Sequence, residues 1–168
     1  MDPQAVIEVF RRNVTEHYFD LKGRVSRQEF WYFVLASFVV GVAAAIVDAV
    51  IRTGLLGPLV GLALLLPLTG LGARRLQDIG RNGSLVWVWT ISVVVLQAFS
   101  LLTALTLLAS PLGALTSLYY LATLASLVSL ISLVVLVISI ILIYFWVQPG
   151  TAGANTYGPD PKAAPASV

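Results

Sequence analysis

Cysteine is missing altogether, histidine and methionine occur once each, and charged residues make up only 11% of the 168 positions. Without cysteine there are no disulfides, thiolate nucleophiles or cysteine metal sites. The single histidine, His17, falls on a mixed polar segment and is expected to be solvated. No GxSxG, phosphate loop or metal-ligand spacing occurs. The chain is therefore expected not to be an enzyme, and nothing in it implies a metal or a cofactor. Basic residues do not interleave with aromatics, which argues against a nucleic-acid partner. The first 29 residues include Glu8, Glu16, Asp20 and Glu29, unlike a cleavable signal peptide with its early apolar core.

What is abundant is hydrocarbon. Hydrophobic residues are 58% of the chain, against about 45–50% in soluble domains. After Arg81 there is no Asp, Glu, Lys or Arg until Asp160. A bilayer is the solvent that such a chain needs, and a span takes about 20 apolar residues. Four spans are expected, at about 30–51, 58–79, 85–109 and 122–147. The fold expected is all-α: an integral membrane bundle of four transmembrane helices preceded by a short amphipathic cytoplasmic helix. Residues 1–161 form one membrane domain, 1–25 being its amphipathic segment, and 162–168 a disordered tail.

Local signals fix the boundaries. Val6, Phe10, Val14 and Tyr18 recur at i+4, so Pro3 to Phe19 reads as an amphipathic helix covering the bundle end. Ser26-Arg27-Gln28-Glu29 is a capping box, in which the Ser26 hydroxyl meets the Glu29 amide and the Glu29 carboxylate reaches back. It starts the first span, with Trp31 and Tyr32 at headgroup depth. Ser37, Gly41, Ala45 and Ala49 form a small-residue face for close helix approach. Asp48 is followed at i+4 by Arg52, an acid-first order that suits an interfacial ion pair. An ion or proton site is the sharper alternative for Asp48.

Pro67 is expected to kink the second span, and Gly57 with Gly61 makes a GxxxG packing signal. Gly80 suits a helix C-cap, and Asn82 or Ser84 can cap the third span. Gln97 sits near mid-membrane and is expected to bond to a neighbouring helix. Ser110-Pro111-Leu112-Gly113 is expected to break the chain before the last span. Tyr119-Tyr120 and Tyr144-Phe145-Trp146 mark its two interfaces. Ser126, Ser129, Ser132 and Ser139 trace a stripe suited to helix packing, with a hydrated pathway as the alternative.

Four spans put both termini on one side. Arg11, Arg12, Lys22, Arg24, Arg27, Arg74, Arg75, Arg81 and Lys162 then share that side, and only Arg52 is opposite. This positive-inside pattern predicts cytoplasmic termini in the plasma (inner) membrane. The cytoplasmic end gathers a candidate polar cluster of Arg24, Arg27, Glu29, Arg74, Arg75, Asp78 and Arg81. Asn155 and Tyr157 are expected to dock against it from the tail. Asp48 and Gln97 are the candidate membrane polar residues.

The motifs resemble a known family. Gly23-Arg24-Val25-Ser26-Arg27-Gln28-Glu29-Phe30-Trp31-Tyr32-Phe33 is similar to the opening GR-x-SR-x-EFWYF pattern of the domain-of-unknown-function 805 family. Pro67 followed by Arg74-Arg75-Leu76-Gln77-Asp78-Ile79-Gly80-Arg81 resembles its hairpin. Pro149 to Pro161 resembles its closing PG…G-x-N-x-YGPDP. Gln77 stands where that family usually has His, so no metal or proton role carries over to that position. The resemblance implies a small bacterial inner-membrane protein of unknown activity, and assigns no catalytic residues.

The sequence thus points to a membrane scaffold or interaction protein with a basic cytoplasmic face. Its expected partners are the lipid bilayer, with anionic headgroups, and a second copy or another membrane protein. A small oligomeric transporter or channel is the alternative.

Overall fold

The computed structural model describes residues 2–109 and 114–163, with side chains for 2–105 and 128–163. The expected break at Ser110-Pro111-Leu112-Gly113, the roles of Tyr119, Tyr120 and Ser126, and the end of the tail beyond Ala163 lie outside the described residues. The elements are α1 (Pro3–Thr15), α2 (Arg27–Ile51), α3 (Leu56–Asp78), α4 (Leu85–Ala109) and α5 (Ala114–Val147). Four of these are long and apolar enough to cross a membrane. The protein is an all-helical, multi-pass membrane bundle.

α1 starts where Asp2 accepts the Gln4 amide at 2.9 Å, an N-cap that the sequence reading did not pick out. It ends at Thr15, four residues before the expected Phe19, because the chain must there turn onto α3. The phenolic hydroxyl of Tyr18 donates to the Ala63 carbonyl at 2.6 Å. Ala63 lies four residues before Pro67, so its carbonyl is the one that proline leaves without an amide donor. α3 continues as one element through Pro67, with Tyr18 supplying the missing bond. The linker presses so close that a Cβ on Gly70 would stand 2.7 Å from the Asp20 carbonyl.

The small-residue face of α2 differs from expectation. Ala44 is buried, while Ala45 and Ala49 are exposed. Each i+4 step overshoots a turn by about 40°, so a strict i+4 stripe drifts off the interface. The face that meets α3 follows Ser37, Gly41, Ala44 and Asp48. Ser37 and Gly41 line a cleft there with Gly57 and Gly61.

α3 is the central helix, with 39% of its span buried against 6–11% for the others. The close-packed core lies at the end that carries both termini, where Phe30, Phe33, Leu71, Leu76, Val86 and Trp146 meet. Trp146 donates its indole N–H to the Gly72 carbonyl at 3.1 Å. A Cβ on Gly72 would stand 2.9 Å from that indole ring, so only glycine admits the tryptophan. Between α4 and α5, Trp89 donates to the Ser139 hydroxyl at 2.9 Å, which uses that member of the serine stripe for packing. Thr69 and Thr90 link α3 to α4 at 2.9 Å.

Candidate functional site

An α-helix leaves its last four carbonyls without partners, and these carry the negative end of its dipole. α3 and α5 both end at the terminus-bearing face, so two sets of orphan carbonyls meet there. The arginines are placed to answer them.

Arg75, fully buried, donates through Nε to the Trp146 carbonyl at 3.1 Å and through Nη2 to the Gln148 carbonyl. Its Nη1 pairs with Asp78. Arg27 donates to the Val147 carbonyl at 3.2 Å. Two arginines from other helices thus cap α5. Arg81 lies with its guanidinium carbon 4.3 Å from the centre of the Phe145 ring, a cation–π contact at the same end.

The tail completes α3. Gly80 adopts φ +75°, and Arg81 N–H donates to Leu76 while Gly80 N–H donates to Gln77, at 2.9 and 3.0 Å. This is the Schellman closure expected of a glycine at that position. The Asp78 carbonyl then accepts both the amide and the hydroxyl of Thr151, each at 2.9 Å. Asn155 donates to the Gln77 carbonyl at 3.0 Å. The Gln77 side chain donates in turn to the Leu21 carbonyl at 3.0 Å, a use that fits an amide.

Arg24 is the hub. Its Nε reaches Asp78 at 2.9 Å, Nη2 the Thr151 carbonyl at 2.6 Å, and Nη1 the Gly153 and Gly158 carbonyls at 2.6 and 3.3 Å. Its side chain is 1% exposed and that of Asp78 4%, so the pair is withdrawn from water. A Cβ at Gly150 would overlap the Asp78 carboxylate, which explains the glycine after Pro149. Asn155 docks as described, and its Oδ1 accepts the Tyr157 backbone amide at 2.8 Å. Asp160 closes the turn by accepting the Lys162 and Gly153 amides at 2.9 and 3.1 Å. These two amides, the Lys162 one first, hold its carboxyl below the usual carboxylate range.

The nine residues of the expected cluster form two groups. Arg24, Arg27, Arg75, Asp78, Arg81, Asn155 and Tyr157 gather under the tail. Arg74 and Glu29 face α1 instead, because adjacent helical residues point about 100° apart. Arg74 is buried and donates to Asn13 Oδ1 at 2.9 Å. Ser26 Oγ accepts the Glu29 amide at 3.2 Å as expected, while the Glu29 carboxylate is engaged by Arg12 of α1. Asn13 and Thr151 have no signature in the sequence, and Arg12 and Tyr18 are legible there only as a basic residue and as part of the apolar stripe; their partners are mostly backbone carbonyls or residues distant in the chain.

At the opposite end Asp48 does not turn to Arg52. Its oxygens accept the Thr53 hydroxyl at 2.6 Å and the Gly57 amide at 3.1 Å. Gly57 is in the first turn of α3, so Asp48 caps that helix from α2. Arg52 occupies the left-handed C-cap position of α2 at φ +56°. Gln97 of α4 rests on α3, and a Cβ at Gly61 would collide with its amide nitrogen. The two glycines of the GxxxG therefore seat two polar side chains from different helices.

Comparison with known proteins agrees with this architecture. Residues 18–159 match the family described as Protein of unknown function (DUF805). The chain is 27% identical over 152 residues to Inner membrane protein YhaI of Escherichia coli (strain K12), covering 89% of this chain and 92% of that protein. It is 26% identical over 158 residues to Inner membrane protein YhaH of the same strain, covering 90% and 95%. No solved structure matches it. Four apolar helices and two inner-membrane relatives identify a multi-pass inner-membrane protein, and the match across nearly the whole chain places it in the DUF805 family.

Proposed function

We propose that the protein is a membrane scaffold without catalytic activity, whose clamped end faces the cytoplasm and docks an acidic segment of another protein. The observation that carries this reading is how the positive charge divides. Arg24, Arg74 and Arg75 are spent inside the fold, and a ligand site built on them would require breaking it. Lys22, Arg27, Arg81 and Lys162 stay exposed, set around a cap whose backbone is fixed by the tail. The hollow beside that cap is about 180 Å³, below the roughly 300–1,000 Å³ usual for small-molecule sites. A fixed basic rim suits electrostatic recognition. The nine-to-one distribution of basic residues supports the cytoplasmic orientation.

The test is crosslinking in native membranes with wild type and a Lys22→Ala, Lys162→Ala variant, which leaves the Arg27 and Arg81 contacts with α5 in place. Loss of captured partners, with the unfolding midpoint preserved, is expected. Unchanged capture would remove the rim from the account.

A second reading, a small oligomeric transporter, rests on one feature. A cleft of about 330 Å³ between α2, α3 and α4 is lined by Ser37, whose buried hydroxyl has no partner among the described residues. Both Asp48 oxygens are already engaged at the neighbouring helix end, which weighs against it. Ion flux in proteoliposomes that Asp48→Asn abolishes would favour transport.

A further inference from the structure

α1 is amphipathic, yet one part of its apolar face does not touch α2. A groove of about 450 Å³ runs between the two helices. On the α1 side its wall is Pro3, Val6 and Phe10, spaced i, i+3, i+7. On the α2 side the floor is Ala36 and Val40, with Leu35 and Val39 along the open edge. Ile7, Leu35 and Val39 are 60%, 39% and 58% exposed, so the groove opens sideways along a span that belongs in hydrocarbon.

The α2 floor leads toward a closed polar end. Glu29, Phe33, Ala36 and Val40 follow one helical stripe. Phe33 stacks on Phe10 with ring centres 5.5 Å apart, which closes the groove. One turn beyond that closure, Glu29 pairs with Arg12, whose buried Nε has no partner among the described residues. The open edge has its own mouth. Ile7 and Arg11 share a face of α1 at i, i+4, and Arg11 is exposed. Gln28 and Tyr32, bonded at 2.8 Å, precede Leu35 on the same stripe of α2. The groove is therefore apolar along its length, with Arg11 as the exposed cation toward the end where α2 starts.

We infer that this groove holds one acyl chain of an anionic phospholipid, with its phosphate held at the exposed Arg11. The size suits a single chain, being within the usual range for small-molecule sites. The lining offers nothing to a polar ligand. The exposed Arg11 stands at the open edge, where a phosphodiester of a lipid in that leaflet would lie. The site is separate from the basic rim and the tail clamp, so either proposal can fail alone. Lipid here would fasten α1 to α2 and so steady the Tyr18 linker on α3.

The experiment uses the full chain, reconstituted in mixed phosphatidylglycerol and phosphatidylethanolamine bilayers, extracted in mild detergent and weighed by native mass spectrometry. Wild type is expected to retain one phospholipid per protomer, enriched in phosphatidylglycerol. Ala36→Phe, which fills the floor, is expected to lose most of it, and Val39→Trp, which fills from the exposed edge, to do the same if Ala36→Phe does not fold. Arg11→Glu is expected to keep a lipid but lower the preference for phosphatidylglycerol about fivefold or more, since one cation near a membrane surface is worth about that factor. Retention unchanged in both filled variants would overturn the inference, as would wild type without headgroup preference. Because the chain has no cysteine, Ile7→Cys gives a single reporter; efficient disulfide formation between two copies in the membrane would show that a second chain, not lipid, covers the groove.

Discussion

The two ends of the bundle face the same problem and solve it with opposite charges. At the Asp48 end a helix begins, and its free amides receive a carboxylate. At the Arg75 end two helices finish, and the free carbonyls of α5 receive guanidinium groups while those of α3 receive the tail. Scale separates the two solutions. The Asp48 end uses one acid and a threonine, with Arg52 left in solvent. The Arg75 end joins the α2 start, α3, the α5 terminus and the tail, over a core of large side chains. The comparison teaches that a surplus of arginine over carboxylate is not by itself a ligand site. Helix ends supply the missing negative partners, in the sense that the dipole dictates.

The largest expected effect breaks the stronger end. Arg75→Ala leaves Asp78 with Arg24 alone and strands the Trp146 and Gln148 carbonyls, and removing one partner of a buried pair costs roughly 3–5 kcal/mol. Reversible unfolding in bicelles should show it, and Arg75→Lys should recover only part, because one ammonium cannot fork between three acceptors. A Arg75→Ala midpoint close to wild type would reduce the clamp to ornament. The weaker end should respond less: Asp48→Ala removes a cap worth about 0.5–2 kcal/mol, while Asp48→Asn, which keeps an acceptor, should lose less. If Asp48→Ala exceeds Arg75→Ala in the same unfolding assay, the ranking of the two ends is wrong.

The smallest effect is in the tail turn. Asp160 has a lowered folded carboxyl pKa, so its contribution is complete above the ordinary carboxylate pKa. It fades as pH falls through the lowered value. Amide exchange at Gly153 and Lys162 should quicken in acid relative to the rest of the turn, and Asp160→Asn should flatten that pH dependence.

The contrast between the ends also separates what could be read in the sequence. Spans follow from hydrophobic length, and the Ser26 cap and the Gly80 closure follow from local pattern, so all were legible. The grouping of Arg24, Arg75, Asp78 and Asn155 followed from topology. Their bonding did not, because most of their partners are backbone carbonyls, which every residue has and no composition reveals. Tyr18 filling the gap left by Pro67 is a pairing across 45 residues with no local signature. Asp48 was read against the nearest cation in sequence, whereas the nearest unsatisfied donors belonged to the next helix.

The most direct test of the clamp is hydrogen exchange across residues 151–158 in nanodiscs, comparing wild type with Arg24→Ala in zwitterionic and in anionic lipid. The account predicts that the wild-type tail is protected in both lipids and that Arg24→Ala exposes it in both. A tail equally protected without Arg24, or protected in wild type only when anionic lipid is present, would contradict it.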